Sequence, residues 1–123
     1  MNKTVLVADD SSIVQNLSRK ILEQQNYQIV SAKDGNEVLE KFKTEDIDLI
    51  LMDINIPIKD GMECTKEIRS MEDKKKASVP IIAISGNLKN YTLEDFKNAG
   101  INEFLQKPLN FDELVSLVFK YTT

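Results

Sequence analysis

Five polar residues with reactive side chains stand at the ends of short apolar runs: Asp9, Asp10, Asp53, Ser85 and Lys107. Clustered carboxylates repel one another, so such a group raises the pKa of a member or recruits a cation. Carboxylate oxygens select Mg²⁺, or Mn²⁺, over softer metals. A metal, a lysine and a hydroxyl beside a carboxylate are the parts that transfer a phosphoryl group onto it. We therefore predict that Asp53 is phosphorylated, with Lys107 neutralising charge on the phosphoryl oxygens.

Taken singly, each of these residues has an ordinary structural explanation. Adjacent acids such as Asp9 and Asp10 can begin a helix, where its dipole favours negative charge. Asp53 and Ser85 can belong to turns, and Lys107 can be a solvated surface lysine. Their joint occurrence at the ends of four predicted strands is what favours a common site.

The apolar runs that precede these residues predict five β-strands, over residues 4–8, 27–32, 48–52, 79–84 and 103–106. Three of the runs are nearly continuous in Val, Ile and Leu, as in strands buried on both faces of a parallel sheet. The segments between them have the apolar spacing of helices. Strand and helix thus alternate five times, which predicts an α/β fold with a parallel sheet. Functional groups in such sheets gather at the carboxyl ends of the strands, so the polar residues should converge.

Local signals mark the helices. The first helix has an apolar stripe made of Ile13, Val14, Leu17, Ile21 and Leu22. A capping residue three positions before an acid predicts helix starts at Asp34, Thr92 and Asn110. Gly100 is placed to end a helix in the left-handed conformation. The lysine run at residues 74–76 is predicted to be a solvated loop.

Composition limits the possible functions. The chain has 123 residues, so we expect a single domain over residues 1–123. Its net charge of −4 disfavours direct binding of nucleic acid, which needs a basic surface. No apolar run is long enough to predict a membrane span. One cysteine and no histidine argue against disulfides and zinc sites, and they favour a reducing, cytoplasmic setting.

The sequence resembles the response regulator receiver family over essentially its whole length. The matching segments are VLVADDS, DLILMDINIPIKDG, IIAISGN and AGINEFLQKP. The resemblance implies a flavodoxin-like fold with five parallel strands in the order 2-1-3-4-5 and five helices on both faces. It implies a two-component signalling switch. Such a switch gains and loses a phosphoryl group on its own aspartate and is not an enzyme that turns over substrates. It also implies a cis peptide bond between Lys107 and Pro108.

The resemblance assigns roles at the phosphorylation site. Asp53 matches the phosphorylated aspartate, and Lys107 matches the lysine that binds the phosphoryl group. Asp10 matches a direct metal ligand, whereas Asp9 matches an acid that acts on the metal through water. Asn55 matches the residue whose backbone carbonyl completes the metal site.

The resemblance also assigns switch and tuning roles. Ser85 matches the hydroxyl residue that closes on the phosphoryl group, and Phe104 matches an aromatic switch residue. Asn55 and Asn87 match positions that tune the lifetime of the phosphoryl group. Lys59 departs from the family, which commonly has Met there; its cation either extends into solvent or alters phosphoryl lifetime or access of the phosphodonor.

By resemblance, the phosphodonor is a phosphohistidine on a histidine kinase or a histidine phosphotransfer protein. Phosphorylation is expected to reposition the surface formed by the fourth helix, fifth strand and fifth helix, where a downstream protein would bind. Direct contact with nucleic acid or membrane is not expected. The stretches ECTKEIR and IIAISGN resemble receivers of hybrid kinases, whereas the start MNKTVLVADD resembles a free N-terminus. A stand-alone regulator and a receiver cut from a larger kinase both stay open.

Other functions fit less well. A phosphatase of the haloacid-dehalogenase type needs a second acid two residues after its nucleophile, where this chain has Asn55. A flavodoxin-like FMN site needs a hydroxyl-rich phosphate loop, but Asp9 and Asp10 would repel the phosphate. An unphosphorylated pseudo-receiver, acting only as an interaction module, would normally lack part of the acid–lysine set. The pseudo-receiver stays the alternative.

Overall fold

Five parallel strands form one sheet in the order β2-β1-β3-β4-β5 in the computed structural model, which describes residues 2–86 and 90–123. The strands are β1 (Thr4–Ala8), β2 (Gln28–Ala32), β3 (Leu49–Asp53), β4 (Ile81–Ser85) and β5 (Glu103–Gln106). The predicted flavodoxin-like order is therefore confirmed, with strand boundaries that differ from the predicted ones by one or two residues at most.

Six helices connect or follow these strands in the described part of the chain. They are α1 (Ser12–Gln24), α2 (Gly35–Thr44), α3 (Gly61–Arg69), α4 (Lys74–Ala77), α5 (Leu93–Ala99) and α6 (Phe111–Thr122). The sequence predicted five of them and missed the single turn of α4. No helix among the described residues combines the length and the apolar character needed to cross a bilayer.

The lysine run predicted as a solvated loop forms helix α4 instead. The Asp73 carboxylate caps this helix by accepting hydrogen bonds from the backbone N–H groups of Lys75 and Lys76, at 3.0 and 3.2 Å. Lys76 then folds back, because its ammonium donates to the carbonyl of Phe42 at 2.9 Å and lies 5.1 Å from the centre of that ring. The prediction was wrong because it overlooked the local cap at Asp73, and the contacts of Lys76 could not be foreseen because Phe42 is distant in sequence.

The sheet is buried on both faces, and alternation along the strands divides its core in two. Leu49 and Leu51 of β3 join the cluster beneath α1 and α6. Ile50 and Met52 join the cluster beneath α2, α3 and α5. Each such side chain contributes about 1.5–3 kcal/mol by leaving water. A fully buried β3 therefore holds Asp53, its last residue, at a fixed point in the sheet.

Helix α1 turns a different face to the sheet from the one its apolar stripe predicts. Its fully buried residues are Gln15, Ser18 and Leu22, whereas 71% of Ile13 and 43% of Leu17 are exposed. A polar side chain occupies the buried side where Gln15 meets backbone carbonyls at the ends of β1 and β2. Hydrophobic periodicity cannot anticipate such a contact, because it treats every polar residue as solvent-facing.

The predicted helix ends are confirmed. Asp34 and Asn110 accept hydrogen bonds from backbone N–H groups three residues further on, at 2.9 and 3.1 Å. Thr92 and Asp95 form a reciprocal capping box at the start of α5. Gly100 ends that helix with φ of 97°, the left-handed conformation that glycine adopts without strain.

We expect Gly35→Ala to destabilise the fold, because α2 begins in direct contact with the loop after β3. The Gly35 N–H donates to the Pro57 carbonyl at 3.2 Å, and an added Cβ would overlap the carbonyl oxygen of Lys59. Relieving that overlap requires the helix or the loop to move. Such overpacking costs about 1–3 kcal/mol of unfolding free energy, measured by urea denaturation.

Gly86→Ala is the matched control for this substitution. An added Cβ at Gly86 would lie 3.5 Å from the Cβ of Lys107, an ordinary contact distance. Its unfolding free energy should stay within about 0.5 kcal/mol of the wild type. Equal stability of Gly35→Ala and Gly86→Ala would show that the contact between α2 and the loop is loose.

Candidate functional site

An acidic cluster lies at the carboxyl edge of the sheet, as the sequence predicted. Asp9 directly follows β1, Asp10 comes next and Asp53 ends β3. One carboxylate oxygen from each of these residues lies within 4.8 Å of the others. Asp9 and Asp53 are buried, with 1% and 3% of their surface exposed, whereas Asp10 is open to solvent.

Lys107 brings a positive charge into this cluster from the end of β5. Its ammonium donates to Oδ2 of Asp53 at 3.1 Å and lies 3.3 Å from Oδ2 of Asp9. The backbone N–H of Lys107 donates to the carbonyl of Ser85 at 3.0 Å, which holds the lysine beside β4. The peptide bond that follows, to Pro108, is cis, as the family resemblance implied.

The charges in this cluster shift one another's protonation. Burial raises the pKa of Asp9, and the negative charge of Asp53 adds to this; a hydrogen bond from Ser11 and the charge of Lys107 oppose the shift without cancelling it. Burial lowers the pKa of Lys107, but its hydrogen bond to Asp53 and the charges of both acids outweigh burial and raise it. Lys107 is therefore a cation at neutral pH, and Asp9 is an acid held in an unfavourable environment.

The structure places Ser85 and Asn55 together beside Asp53. Ser85 ends β4 and is completely buried. The side-chain amide of Asn55 donates to the Ser85 hydroxyl at 3.1 Å, and the backbone N–H of Asn55 donates to Oδ1 of Asp53 at 2.9 Å. The sequence predicted roles for the Asn55 carbonyl and for phosphoryl lifetime, but it did not reveal that this side chain holds the Ser85 hydroxyl.

Phe104 lies on β5 at one end of a row of aromatic rings. Its ring centre is 5.3 Å from that of Phe96 on α5, which in turn is 6.3 Å from that of Tyr91. The Tyr91 hydroxyl donates to Oδ2 of Asp60 at 2.8 Å, and this hydrogen bond, together with burial, raises the pKa of Tyr91 to about 12. Asp60 also caps α3 through the backbone N–H of Glu63. The row therefore joins β5 to α3, the helix that follows the loop after β3.

Lys59 does not point at the acidic cluster. Its ammonium pairs with the carboxylate of Glu67 on α3, and this hydrogen bond raises the pKa of Lys59. The preceding residue, Ile58, is 75% exposed and has φ of 73°, a conformation that β-branched residues rarely adopt. Asn87, the other residue predicted to tune phosphoryl lifetime, lies outside the described residues.

The donor atoms at this edge fit a hard divalent cation. Three carboxylates offer oxygens within reach of one ion, and the described residues supply no sulfur or imidazole ligand among them. Oδ2 of Asp9 is buried and in ion-pair contact with Lys107, but no well-aligned hydrogen bond from a described residue reaches it. An oxygen-rich, partly open set of this kind suits Mg²⁺, which keeps several waters and takes few protein ligands.

Two contributors to the site were not found by sequence reasoning. Gln15 binds three backbone carbonyls beneath the acidic cluster, and Tyr91 binds Asp60. The sequence carries no signal for Tyr91, because its partner is 31 residues away. Sequence analysis could have suggested a buried glutamine only if it had predicted that a face of α1 other than the apolar stripe packs against the sheet.

Comparisons with known proteins agree with this geometry. The family model of the response regulator receiver domain matches residues 5–119. The CAI-1 autoinducer sensor kinase/phosphatase CqsS of Vibrio cholerae is 39% identical over 116 residues, which are 94% of this chain but only 17% of that protein. The chemotaxis protein CheY of Halobacterium salinarum is 36% identical over 108 residues, which are 88% of this chain and 87% of that protein.

A solved structure carries a metal in the corresponding fold. The receiver domain of sensor histidine kinase PA1611 from Pseudomonas aeruginosa PAO1, with magnesium coordinated in its active site cleft, matches with a TM-score of 0.86. It is 29% identical in sequence, and the match covers 99% of this chain and 98% of that chain.

We expect Asp9→Asn to stabilise the metal-free protein at neutral pH. The folded state raises the pKa of Asp9 above its ordinary value of 3.8, so it holds this proton more tightly than the unfolded chain does. The stability that this adds is fully present below about pH 3.8 and is lost as the pH rises through the folded-state pKa. Asparagine has no charge to lose, so its melting temperature should exceed that of the wild type by a few degrees at pH 7 and by little at pH 4.

Thermal denaturation in EDTA at both pH values measures this difference. Asp46→Asn is the control, because Asp46 is exposed and lies outside the acidic cluster. A gain that is equal at the two pH values, or that Asp46→Asn shares, would contradict the account of repulsion within the cluster.

Proposed function

The chain belongs to the response regulator receiver family, and we propose that it is a phosphoacceptor of a two-component or phosphorelay system, phosphorylated on Asp53. The observation that carries the proposal is the convergence of the acidic cluster, Lys107 and Ser85 at one edge of the sheet. A pseudo-receiver would not need this complete set. Members of this family are switch domains, so the only chemistry we propose is gain and loss of its own phosphoryl group.

The reaction moves a phosphoryl group from a phosphohistidine nitrogen to a carboxylate oxygen of Asp53. The new P–O bond forms as the P–N bond breaks, and the leaving imidazole keeps the electron pair of the broken bond. Asp10, Asp53 and the Asn55 carbonyl would hold Mg²⁺ or Mn²⁺, and Asp9 would act on the ion through water. When bound, the ion would supply positive charge to the phosphoryl oxygens. We place this exchange in the cytoplasm, with a histidine kinase or histidine phosphotransfer protein as donor.

Lys107 and Ser85 provide the other favourable interactions with the phosphoryl group. The ammonium of Lys107 already lies 3.1 Å from Asp53, so it can follow the developing charge from the carboxylate to the phosphoryl oxygens. The Ser85 hydroxyl accepts a hydrogen bond from the Asn55 amide, and it can donate its own proton to the phosphoryl oxygens. We propose that Asn55, by orienting this hydroxyl, influences phosphoryl lifetime. We propose that Lys59 and Asn87 also tune it, although Glu67 holds Lys59 away from the cluster.

Phosphorylation would act as a switch through Ser85 and Phe104. The new group adds roughly −1.5 to −2 charges, which favour movement of the Ser85 hydroxyl toward it. That movement vacates space into which the Phe104 ring can turn, away from its present contact with Phe96. Moving such an equilibrium from mostly off to mostly on needs about 5.5 kcal/mol, which a few charge-assisted hydrogen bonds can supply.

Exposed apolar side chains border the acidic cluster and suit the donor protein. Ile13 lies in the first turn of α1, just after the acid pair, and Ile58 lies in the loop after Asp53. Their exposed fractions are 71% and 75%. Isolated apolar residues on a surface need no explanation, but two beside a reactive carboxylate favour contact with the protein that delivers the phosphoryl group.

The surface formed by α5, β5 and α6 is our proposed site for the downstream protein. It contains Phe104 and the exposed Leu93, at 57% of its surface. Lys120 and Tyr121 of α6 both contact the carboxylate of Glu103 on β5, at 3.4 and 2.7 Å. A turn of the Phe104 ring would therefore change a surface whose strand and helix are already joined by side chains.

Phosphorylation of Asp53 can be tested by intact-mass measurement. After incubation with a small acyl phosphate and Mg²⁺, the wild type should gain one phosphoryl group, and Asp53→Asn should gain none because it lacks the nucleophile. EDTA should abolish the adduct. An adduct that does not need Mg²⁺, or that Asp53→Asn forms as readily, would exclude the proposed site, and no adduct would support the pseudo-receiver.

We expect Ser85→Ala to accept the phosphoryl group without passing the change to Phe104. NMR signals of the Phe104 ring should move when the wild type is phosphorylated and stay nearly in place in the variant. Ser116→Ala, at an exposed position of α6, is the control and should behave as the wild type. Movement of the Phe104 signals in all three proteins would show that the ring turns independently of Ser85.

A further inference from the structure

Gln15 is a buried glutamine whose side chain donates hydrogen bonds to the backbone beneath the acidic cluster. Only 6% of its surface is exposed. Its side-chain nitrogen donates to the carbonyls of Val7 at 2.9 Å, Asp9 at 3.0 Å and Ala32 at 2.9 Å. Three acceptors surround a group with two hydrogens, so at least one hydrogen is shared. The three carbonyls also settle which end of the amide carries the nitrogen.

This contact has an energetic cost that packing alone would not impose. Oε1 of the same amide is buried without a hydrogen-bond partner among the described residues. An unpaired buried polar group costs about 1–3 kcal/mol, and this cost is offset by the backbone carbonyls that the side-chain nitrogen binds, which an apolar residue would leave without this donor. The apolar residues Ile13 and Leu17 of the same helix are meanwhile exposed. The role of Gln15 therefore lies in the backbone carbonyls that its side-chain N–H groups bind.

The donors of Gln15 hold the peptide that joins the two acids. The carbonyl of Asp9 belongs to the peptide bond between Asp9 and Asp10, so its orientation decides the direction in which Asp10 leaves β1. The Asp9 side chain is held separately, because its Oδ1 accepts from the backbone N–H of Ser11 at 2.8 Å. Within the described ranges, no comparable hydrogen bond holds the side chain of Asp10, which is exposed. The position of its carboxylate thus depends on the backbone that Gln15 holds.

We propose that Gln15 is a positioning residue for the divalent cation, acting through the peptide between Asp9 and Asp10. The inference rests on the proposed function, because it assigns Gln15 to the same metal-dependent site. It touches neither the metal nor the phosphoryl group. Replacing a residue that orients metal ligands without touching the metal typically lowers metal affinity about 10- to 100-fold. We expect replacement of Gln15 to lower the affinity for the cation by the same factor.

Gln15→Met tests the proposal, because methionine keeps the length of the side chain and removes both donors. Ser18→Ala is the matched control: Ser18 lies one turn further along the same buried face, and its hydroxyl has no hydrogen-bond partner in the described part of the chain. Titration with MgCl₂, followed by backbone amide NMR shifts, should give a dissociation constant about 10- to 100-fold higher for Gln15→Met. Ser18→Ala should bind Mg²⁺ as the wild type does.

The dependence of phosphorylation on Mg²⁺ separates positioning from general structural damage. In Gln15→Met, the Mg²⁺ concentration for half-maximal phosphorylation by an acyl phosphate should rise by the same factor, while the rate at saturating Mg²⁺ stays near that of the wild type. Thermal denaturation in EDTA records any loss of stability independently. An unchanged Mg²⁺ dissociation constant, or a low phosphorylation rate that saturating Mg²⁺ does not restore, would overturn the proposal.

The wild type provides a second measurement in case Gln15→Met does not fold. Its Gln15 side-chain amide protons should exchange slowly with solvent and shift on titration with MgCl₂, with the same dissociation constant as the backbone amide of Asp10. Amide protons that exchange rapidly, or that ignore Mg²⁺, would overturn the positioning role. A wild type that binds no Mg²⁺ or gains no phosphoryl group would instead refute the proposed function, so the two failures are distinguishable.

Discussion

The contact of one ammonium with two buried carboxylates holds the functional edge of this molecule together. Lys107 lies 3.1 Å from Asp53 and 3.3 Å from Asp9, so a single cation joins the ends of β1, β3 and β5. Two unit charges about 4 Å apart interact by about 4 kcal/mol where the effective dielectric constant is near 20. One lysine offsets part of the repulsion among three acids and leaves net negative charge. That residual negative charge is why the edge suits a divalent cation.

The parallel sheet makes this contact possible because every strand ends at the same edge. Lys107 and Asp53 are 54 residues apart in the chain and still meet. Backbone hydrogen bonds maintain the alignment: Lys107 donates to the carbonyl of Ser85, and Ile54 donates to that of Ile84, both at 3.0 Å. Because β3 and β4 are buried along their whole length, Asp53 and Ser85 stand at the ends of strands that are packed on both faces.

Two sets of side-chain contacts lead away from Asp53 toward the surface. Asn55 connects the loop after β3 directly to the hydroxyl of Ser85. The ring of Phe104 packs against Phe96 and, through it, against Tyr91, whose hydroxyl reaches the start of α3. The first set joins the end of β4 to the loop after β3, and the second joins β5 and α5 to the start of α3. The loop after β3 therefore contacts Ser85 directly, and its last residue, Asp60, is linked to Phe104 through Tyr91 and Phe96.

Apolar runs and helix caps predicted the strands, most helix boundaries and the convergence of the acids with Lys107, whereas the strand order followed from the family resemblance. The same signals failed for α1, whose stripe predicted a buried Ile13 and Leu17, and for the lysine run that became α4. In both places a polar side chain donates to backbone carbonyls of another element, which apolar periodicity does not register, and α4 also has a local cap at Asp73 that was overlooked. The sequence by itself thus determined which groups meet at the edge of the sheet. Only the tertiary structure decided that Gln15 lies beneath the acids and that Lys59 turns away from them, since those positions depend on partners brought close by folding.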